Sequence, residues 1–195
     1  MAQPCQLYLK VAISRPNLEA FLHSEADSAS CFDDFEQWLD INRRWRGNMT
    51  WHELCELGQG TTAQAWVDGW SRHLRSPAWN LYDEATQTWT LAVLEFAESR
   101  EWVIGALNVL RRIADFKDLP GPDHLLIYEY LFEQGNVVAA VELLPGQSRI
   151  LPHDPPAGLT VEADRVMGRL LRAMDVSGAY AVQRIADTAA DKDTD

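Results

Sequence analysis

The sequence has few basic residues and few cysteines. Seventeen Lys and Arg residues stand against 29 Asp and Glu residues, which gives a formal net charge of −12 at pH 7. Such a chain repels phosphate, so a nucleic-acid-binding surface is disfavoured. The three cysteines (Cys5, Cys31 and Cys55) are too few for a disulfide scaffold. Cys31 and Cys55 lie among apolar neighbours, as buried free thiols do, and we expect reduced cysteines in a cytosolic protein.

Features of secretory and membrane segments are also missing. Residues 1–4 carry no basic residue ahead of an apolar run, so no secretory signal is expected. The apolar run at residues 7–13 contains Lys10 and is too short to cross a bilayer. We therefore expect a cytoplasmic protein without membrane contact.

No motif for catalysis or cofactor binding is recognisable. The chain has no Gly-x-Ser-x-Gly elbow, no phosphate-binding P-loop and no Gly-rich dinucleotide fingerprint. His52 and Glu56 have the i, i+4 spacing of the zinc-protease helix, but no third ligand is suggested. Cys55 acting as a thiol nucleophile with a distant His has no local signature either. We predict no hydrolase, transferase or nuclease activity, and no cofactor or metal.

Apolar and aromatic side chains, by contrast, are abundant. Of the 195 residues, 47% are hydrophobic and eight are tryptophan. A chain of this size buries roughly two thirds or more of its unfolded surface, so it needs no disulfide or metal to fold. We predict one domain over residues 1–186, followed by an acidic, apolar-poor tail over residues 187–195 that frays.

Hydrophobic periodicity predicts an α+β fold. Alternating patterns predict strands at residues 7–13, 79–83, 88–97, 124–133, 137–144 and 148–151. Helical spacing predicts helices at residues 31–41, 50–57, 61–74 and 100–116, and another that Thr160 caps. Two hairpins, turning at residues 84–87 and at Gly135-Asn136, imply an antiparallel sheet, with the 100–116 helix packed on one face.

Trp66 and Trp70 lie four residues apart, with Arg72 and Arg75 nearby. This arrangement could form a stacking surface for a base or a sugar. A helix stripe that faces the core is the favoured interpretation.

Three glutamates interrupt otherwise apolar strands: Glu95, Glu129 and Glu142. A two-residue turn at Gly135-Asn136 would place Glu129 directly opposite Glu142, with both side chains on one face. Two like charges there are unfavourable by roughly 0.2–1 kcal/mol even when exposed.

Three explanations for these strand carboxylates stay open. Arg111, Arg112 or Arg149 neutralises them within the protein. Alternatively, they point into solvent on the open face of a one-sided sheet. In the third, they bind a cation from outside, either a metal or the Lys and Arg residues of a partner.

A second set of carboxylates lies on the predicted 31–41 helix. Asp33, Glu36 and Asp40 share the side opposite its apolar residues. Such a charged face is usually only solvated. The total charge is lopsided, however, and fields of one sign steer association with partners of the opposite charge.

The layout resembles the immunity proteins of bacterial polymorphic-toxin and type VI secretion systems. The similarity lies in a small, acidic, Trp-rich, cysteine-poor α+β chain without a catalytic motif, chiefly from the Trp79-Asn-Leu-Tyr-Asp83 stretch to Leu144. These families share no diagnostic motif, so the resemblance carries over no functional residue. It implies a protein that binds a cognate toxin, often a basic nuclease, and blocks its active site or its assembly.

We therefore expect a cytosolic inhibitor of a basic toxin, and not an enzyme. The six carboxylates expected to bind the partner are Asp33, Glu36, Asp40, Glu95, Glu129 and Glu142. The alternative is a small-ligand or metal-dependent enzyme that uses Glu95, Glu129 and Glu142.

Overall fold

Helices and strands both contribute to the fold, which is α+β as predicted. The computed structural model describes residues 5–26, 32–42, 47–72, 77–97, 99–129, 136–152 and 155–177. Its strands are β1 (Cys5–Ala12), β2 (Ala78–Asp83), β3 (Thr88–Ala97), β4 (Asp123–Glu129), β5 (Val137–Leu144) and β6 (Gln147–Ile150). Its helices are α1 (Arg15–His23), α2 (Phe35–Ile41), α3 (Trp51–Glu56), α4 (Ala63–Ser71), α5 (Arg100–Leu110), α6 (Ile113–Phe116) and α7 (Ala157–Ser177). The predicted tail lies outside the described residues.

The described strands form one six-stranded sheet in the order β2-β3-β1-β4-β5-β6, and every neighbouring pair is antiparallel. The first strand therefore lies inside the sheet. Because β3 and β4 are both antiparallel to β1, they run parallel to each other on either side of it. Helices α5 and α6 connect them, as in a split βαβ unit.

Apolar side chains cover the sheet on both faces. The larger core lies on the side of α1 to α6, where Leu7, Leu9 and Val11 of β1 are fully buried. A smaller core lies under α7, where Val166 and Met167 pack over the row formed by Tyr8, Ala92, Leu126 and Ala140. One of the three explanations for the strand carboxylates, a one-sided sheet with an open face, is therefore wrong for this row. Helix α7 also begins at Ala157, ahead of the predicted cap at Thr160.

The first hairpin confirms its prediction. Tyr82 lies opposite Trp89, and the four-residue loop joins Asp83 to Thr88. The Asp83 carboxylate accepts hydrogen bonds from the backbone N–H groups of Ala85 (2.9 Å) and Thr86 (3.3 Å). Local side-chain bonding of this kind fixes a turn from nearby residues alone.

The register predicted for the second hairpin is wrong. Tyr128 pairs with Val137, and Glu142 pairs with His124 rather than with Glu129. The ladder contains a register shift between Ile127 and Tyr128, and residues 130–135 separate Glu129 from Asn136. The predicted turn residue Gly135 and the predicted end of the fourth strand lie outside the described residues.

The predicted 100–116 helix is divided at Arg111-Arg112 into α5 and α6. Its predicted apolar stripe is buried throughout: Val103, Leu107, Leu110, Ile113 and Ala114. The division arises because the N–H groups of Ala114 and Asp115 bond to carbonyls three residues back, those of Arg111 and Arg112. These shorter bonds tighten the turn and redirect the chain.

The short helices follow their predicted N-caps. Thr50 and Glu53 form a reciprocal capping box at α3, and Thr62 accepts from the N–H of Ala65 at α4. Cys5 and Cys55 are buried and form no disulfide, whereas Cys31 lies outside the described residues. No helix in the described ranges is long and apolar enough to cross a membrane.

Candidate functional site

Three of the predicted binding carboxylates, Asp33, Glu36 and Asp40, form one exposed surface on α2 and the turn before it. We call these three residues the acidic face. The opposite side of α2 is buried, with Phe35 and Leu39 fully inaccessible to solvent. The predicted amphipathic pattern is therefore confirmed over Phe35–Ile41, whereas the predicted helix start at residue 31 is wrong, because residues 32–34 precede the helix.

Two of the three carboxylates of the acidic face have no partner among the described residues. The side chains of Asp33 and Glu36 make no ion pair or hydrogen bond with any residue that the structure describes. Unpaired exposed carboxylates keep their field directed into solvent, where a cationic partner can meet it.

A buried ion pair anchors α2 from the inside. Asp34 precedes the helix, and its Oδ1 accepts a hydrogen bond of 2.7 Å from Nη2 of Arg111. The Arg111 side chain is fully buried, while the Asp34 side chain is 26% exposed. At the middle of α2, Trp38 Nε1 donates to the carbonyl of Val138 at 3.0 Å. Together these contacts fix the helix against the sheet.

Arg111 is held from several sides. Its Nε donates to Ser148 Oγ at 3.2 Å, and its guanidinium carbon lies 4.0 Å from the centroid of the Phe32 ring. Burial lowers the pKa of the Arg111 guanidinium, and the Asp34 carboxylate opposes that change. Nη1 of Arg111 is buried and has no acceptor among the described residues. The position is therefore sensitive to any loss of its remaining partners.

The Asp34–Arg111 pair also forms hydrogen bonds with the backbone of the edge strand β6. Asp34 Oδ2 accepts from the N–H of Ile150 at 2.5 Å, and Arg111 Nη2 donates to the carbonyl of Ser148 at 3.3 Å. These two backbone groups are consequently engaged at an edge where an additional strand could pair.

A cavity of about 330 Å³ opens beside the acidic face. Its lining residues are Phe32, Asp33, Asp34, Arg112, Asp115, Gly146, Gln147, Ser148 and Arg149. The cavity thus lies where the N-terminal side of α2, helix α6 and the β5–β6 turn meet. Asp33 belongs both to the acidic face and to the cavity wall.

The predicted strand carboxylates are not brought together. Glu142 forms an ion pair of 2.8 Å with Arg149, one of the three arginines that we considered as internal partners. Glu129 accepts from the Asn136 amide at 3.1 Å and lies opposite Cys5, while Glu95 is exposed on β3. The prediction that Glu129 faces Glu142 is therefore wrong.

Glu142 instead belongs to a polar row that crosses four strands. Register places Lys10, His124, Glu142 and Arg149 side by side on the α7 side of the sheet. Lys10 also contacts Glu162 of α7 at 2.7 Å. We call these four residues the charged row; its charges are largely paired within the protein.

The described residues offer no obvious metal centre. Within the described ranges, no group of three or more His, Cys, Asp and Glu side chains is arranged to hold a metal ion. His52 Nε2 and Glu56 Oε1 lie 3.1 Å apart on the surface of α3, and both side chains are largely exposed.

The tryptophans of α4 belong to the core stripe, as favoured from the sequence. Trp70 is buried and contacts Phe96 edge-on, with 6.0 Å between ring centroids. Trp66 packs between Trp70 and Trp102 and lies so close to Gly105 that an added Cβ there would be 2.5 Å from its indole. A side chain at this helix position would displace Trp66.

Comparison with protein-family models, curated proteins and solved structures finds no significant match to this chain.

Proposed function

We propose that this protein is an immunity protein that neutralises a basic, nuclease-type toxin by placing the acidic face of α2 against it. The observation that carries the proposal is the pair of exposed carboxylates of Glu36 on α2 and Asp33 in the turn before it, neither of which has a partner among the described residues. The opposite side of α2 is fixed against the rest of the protein. A surface of this kind supports binding because the acidic groups are already in position and their field is not cancelled locally.

Anchoring of α2 contributes to affinity indirectly. The Asp34–Arg111 pair and the Trp38–Val138 hydrogen bond hold the helix in one orientation. A preformed surface loses little conformational entropy on association, so more of the contact energy appears as affinity.

Neutralisation follows from the chemistry of the partner. A nuclease binds the phosphates of its substrate through a cationic surface. Carboxylates that cover this surface pair with the same Lys and Arg side chains and exclude the nucleic acid. The formal net charge of −12 adds long-range attraction and a fast encounter.

The predicted binding residues do not contribute equally in this proposal. Glu142 is paired with Arg149, so a partner would have to compete with an existing contact. Glu95 and Glu129 lie on other elements than the acidic face. We therefore place the centre of the interface on α2.

The test is a binding titration against the protein encoded by the adjacent gene, with two charge-reversal variants. Glu36→Lys changes the acidic face, and Glu19→Lys makes the same charge change at an exposed position of α1. We expect Glu36→Lys to cost ~2 kcal/mol or more, about a thirtyfold rise in Kd, and Glu19→Lys to cost far less.

Salt provides a second readout for the same complex. Association should slow markedly as salt rises, since charges are screened beyond about 8–10 Å at ordinary ionic strength. If Kd is the same for both variants and association is independent of salt, the electrostatic-inhibitor model is wrong and the acidity serves solubility.

A further inference from the structure

Three large hydrophobic side chains are exposed within the ranges that the structure describes: Ile41, Trp102 and Val161. Of these, Ile41 lies on α2, directly after Asp40 of the acidic face, and it is 68% exposed. The exposed surface of α2 therefore continues from carboxylates to an aliphatic side chain. A single exposed aliphatic residue is ordinary on a protein surface, so its surroundings decide whether it can bind a partner.

Ile41 forms part of the wall of a groove between α2 and the end of β6. The groove has a volume of about 80 Å³. Its lining residues are Asp34, Gln37, Trp38, Ile41, Asn42, Ile150, Leu151 and Pro152. Five of these eight side chains are apolar, and we call the recess the apolar groove. Ile41 is thus not an isolated hydrophobic residue, because its exposed surface continues into an apolar recess.

The polar side chains of the apolar groove are engaged within the protein. Among the described residues that line it, Asp34 is the one ionisable side chain, and its carboxylate already bonds Arg111 and the N–H of Ile150. The Asn42 amide donates to the carbonyl of Trp38 at 3.1 Å. A charged guest would therefore meet no available counterion in the groove, whereas an apolar guest leaves these contacts intact.

The walls of the apolar groove are held in place before any partner binds. Trp38 Nε1 donates to the carbonyl of Val138 at 3.0 Å, which fixes the α2 side. On the β6 side, the N–H of Leu151 donates to the carbonyl of Ala140 at 2.8 Å. A guest side chain consequently enters a preformed recess, and little of its contact energy is spent on ordering the protein.

We propose that the apolar groove receives one branched aliphatic side chain of the basic toxin, and that Ile41 is the apolar anchor of that interface. This inference rests on the proposed function. The acidic face beside the groove selects a basic surface, so the guest side chain should be surrounded by Lys and Arg residues of the toxin. An apolar centre with a charged rim is the usual anatomy of a protein interface. The volume of about 80 Å³ is well below the ~150 Å³ of a cavity that admits benzene, which favours an aliphatic guest over an aromatic one.

The test is a measurement of association and dissociation rates between the full chain and the protein encoded by the adjacent gene. Ile41→Ala removes the anchor, and Val161→Ala truncates an equally exposed aliphatic residue on α7. We expect Ile41→Ala to raise Kd about tenfold, chiefly through faster dissociation, because it removes contact made only in the complex. Val161→Ala should change Kd by less than about twofold.

A second pair of variants tests the apolar groove itself. Gln37 is exposed, uncharged and part of the groove wall. Gln37→Trp should place an indole in the recess and raise Kd about tenfold, since the groove can no longer accept the guest. Gln37→Ala should change Kd by less than about twofold. Circular dichroism and urea unfolding check that the variants fold as the wild type does, which we expect because the changed side chains are exposed.

Salt separates the apolar anchor from the acidic face. Ile41→Ala removes no charge, so association should keep the salt dependence of the wild type. Glu36→Lys should slow association and reduce that dependence, because it changes the charge that attracts the partner.

The outcomes distinguish failure of this inference from failure of the proposed function. Equal effects of Ile41→Ala and Val161→Ala, or wild-type affinity of Gln37→Trp, would each overturn docking in the apolar groove. If Glu36→Lys still weakened binding, the acidic-face proposal would stand without an apolar anchor on α2. If the adjacent-gene protein did not bind the wild-type chain, the proposed function and this inference would both be wrong.

Discussion

Two adjacent aspartates at the start of α2 have the same chemistry and opposite environments. Asp34 faces inward, where it bonds Arg111 and the N–H of Ile150. Asp33 faces outward and has no partner among the described residues. The difference teaches that a negative charge in this protein stabilises the fold where a cation lies within reach, and is available to a partner where none does.

Carboxylates elsewhere in the molecule fall between these two cases. Glu142 in the charged row is only partly exposed and is paired with a largely exposed arginine. Glu53 of α3 is exposed but engaged by the N-terminal turn of its own helix. We call the Asp34–Arg111 pair the inner anchor. We expect its contribution to stability to differ from that of the Thr50–Glu53 cap of α3 and from that of the charged row.

The inner anchor should give the largest effect. In Asp34→Ala, the buried Arg111 guanidinium loses its counterion, and the N–H of Ile150 loses its acceptor. We expect the free energy of unfolding to fall by about 3 kcal/mol, since an uncompensated buried charge is costly. Urea unfolding followed by tryptophan fluorescence measures this change.

Two controls interpret that loss. Asp33→Ala alters the neighbouring exposed aspartate and should change stability by no more than about 0.5 kcal/mol. Adding Arg111→Met to Asp34→Ala removes the unpaired charge and should restore part of the loss. A double variant whose loss equals the sum of the two single losses would show that the two side chains are not coupled.

The sequence alone could predict the parts of this fold that depend on near neighbours. The first hairpin is set by Asp83 and the residues that follow it, so its register can be read directly. The second hairpin depends on where a longer connection begins, and the Gly135-Asn136 pair gave the wrong register. The sequence also did not predict that α7 packs over the second face of the sheet. An amphipathic pattern predicts that a helix has a buried side, but it does not identify the surface that buries it.

The candidate site shows the same division. The acidic face follows from helical spacing within one segment, and the sequence identifies it. Asp34 and Arg111 are 77 positions apart, so spacing cannot pair them. Arg111 was considered only as a partner of the strand glutamates, and the cavity was not anticipated. The sequence signal for this ion pair is weak. It consists of two consecutive pairs of like charges, Asp33-Asp34 and Arg111-Arg112, of which Asp34 and Arg111 form the inner contact.

An intermediate effect is expected from the cap of α3. Thr50 Oγ1 accepts from the N–H of Glu53 and donates to its carboxylate, and the backbone N–H of Thr50 also donates to that carboxylate. These bonds hold the pKa of Glu53 below its ordinary value. Thr50→Ala should lower the free energy of unfolding by about 1 kcal/mol at pH 7.

The pH dependence of this cap follows from the direction of the pKa shift. A carboxyl whose pKa is lowered by folding stabilises the protein above its unfolded pKa, and this stabilisation is lost as the pH falls through the folded pKa. The difference in stability between wild type and Glu53→Gln should therefore shrink as the pH is lowered below about 4. A difference that stays constant from pH 7 to pH 3 would show that the ionised carboxylate is not what caps the helix.

The charged row should give the smallest effect. The Glu142 side chain is 20% exposed and that of Arg149 is 60% exposed, so water and salt screen the pair. A double-mutant cycle with Glu142→Gln and Arg149→Gln should give a coupling energy of about 0.5 kcal/mol, decreasing as salt is added. Glu142→Gln should also leave affinity for the toxin nearly unchanged, because the charge that it removes is already compensated within the protein. If Glu142→Gln lowered toxin affinity as much as Glu36→Lys does, a carboxylate paired within the sheet would still be available to bind a partner. The contrast between the paired Asp34 and the exposed Asp33 would then not predict which carboxylates bind the toxin.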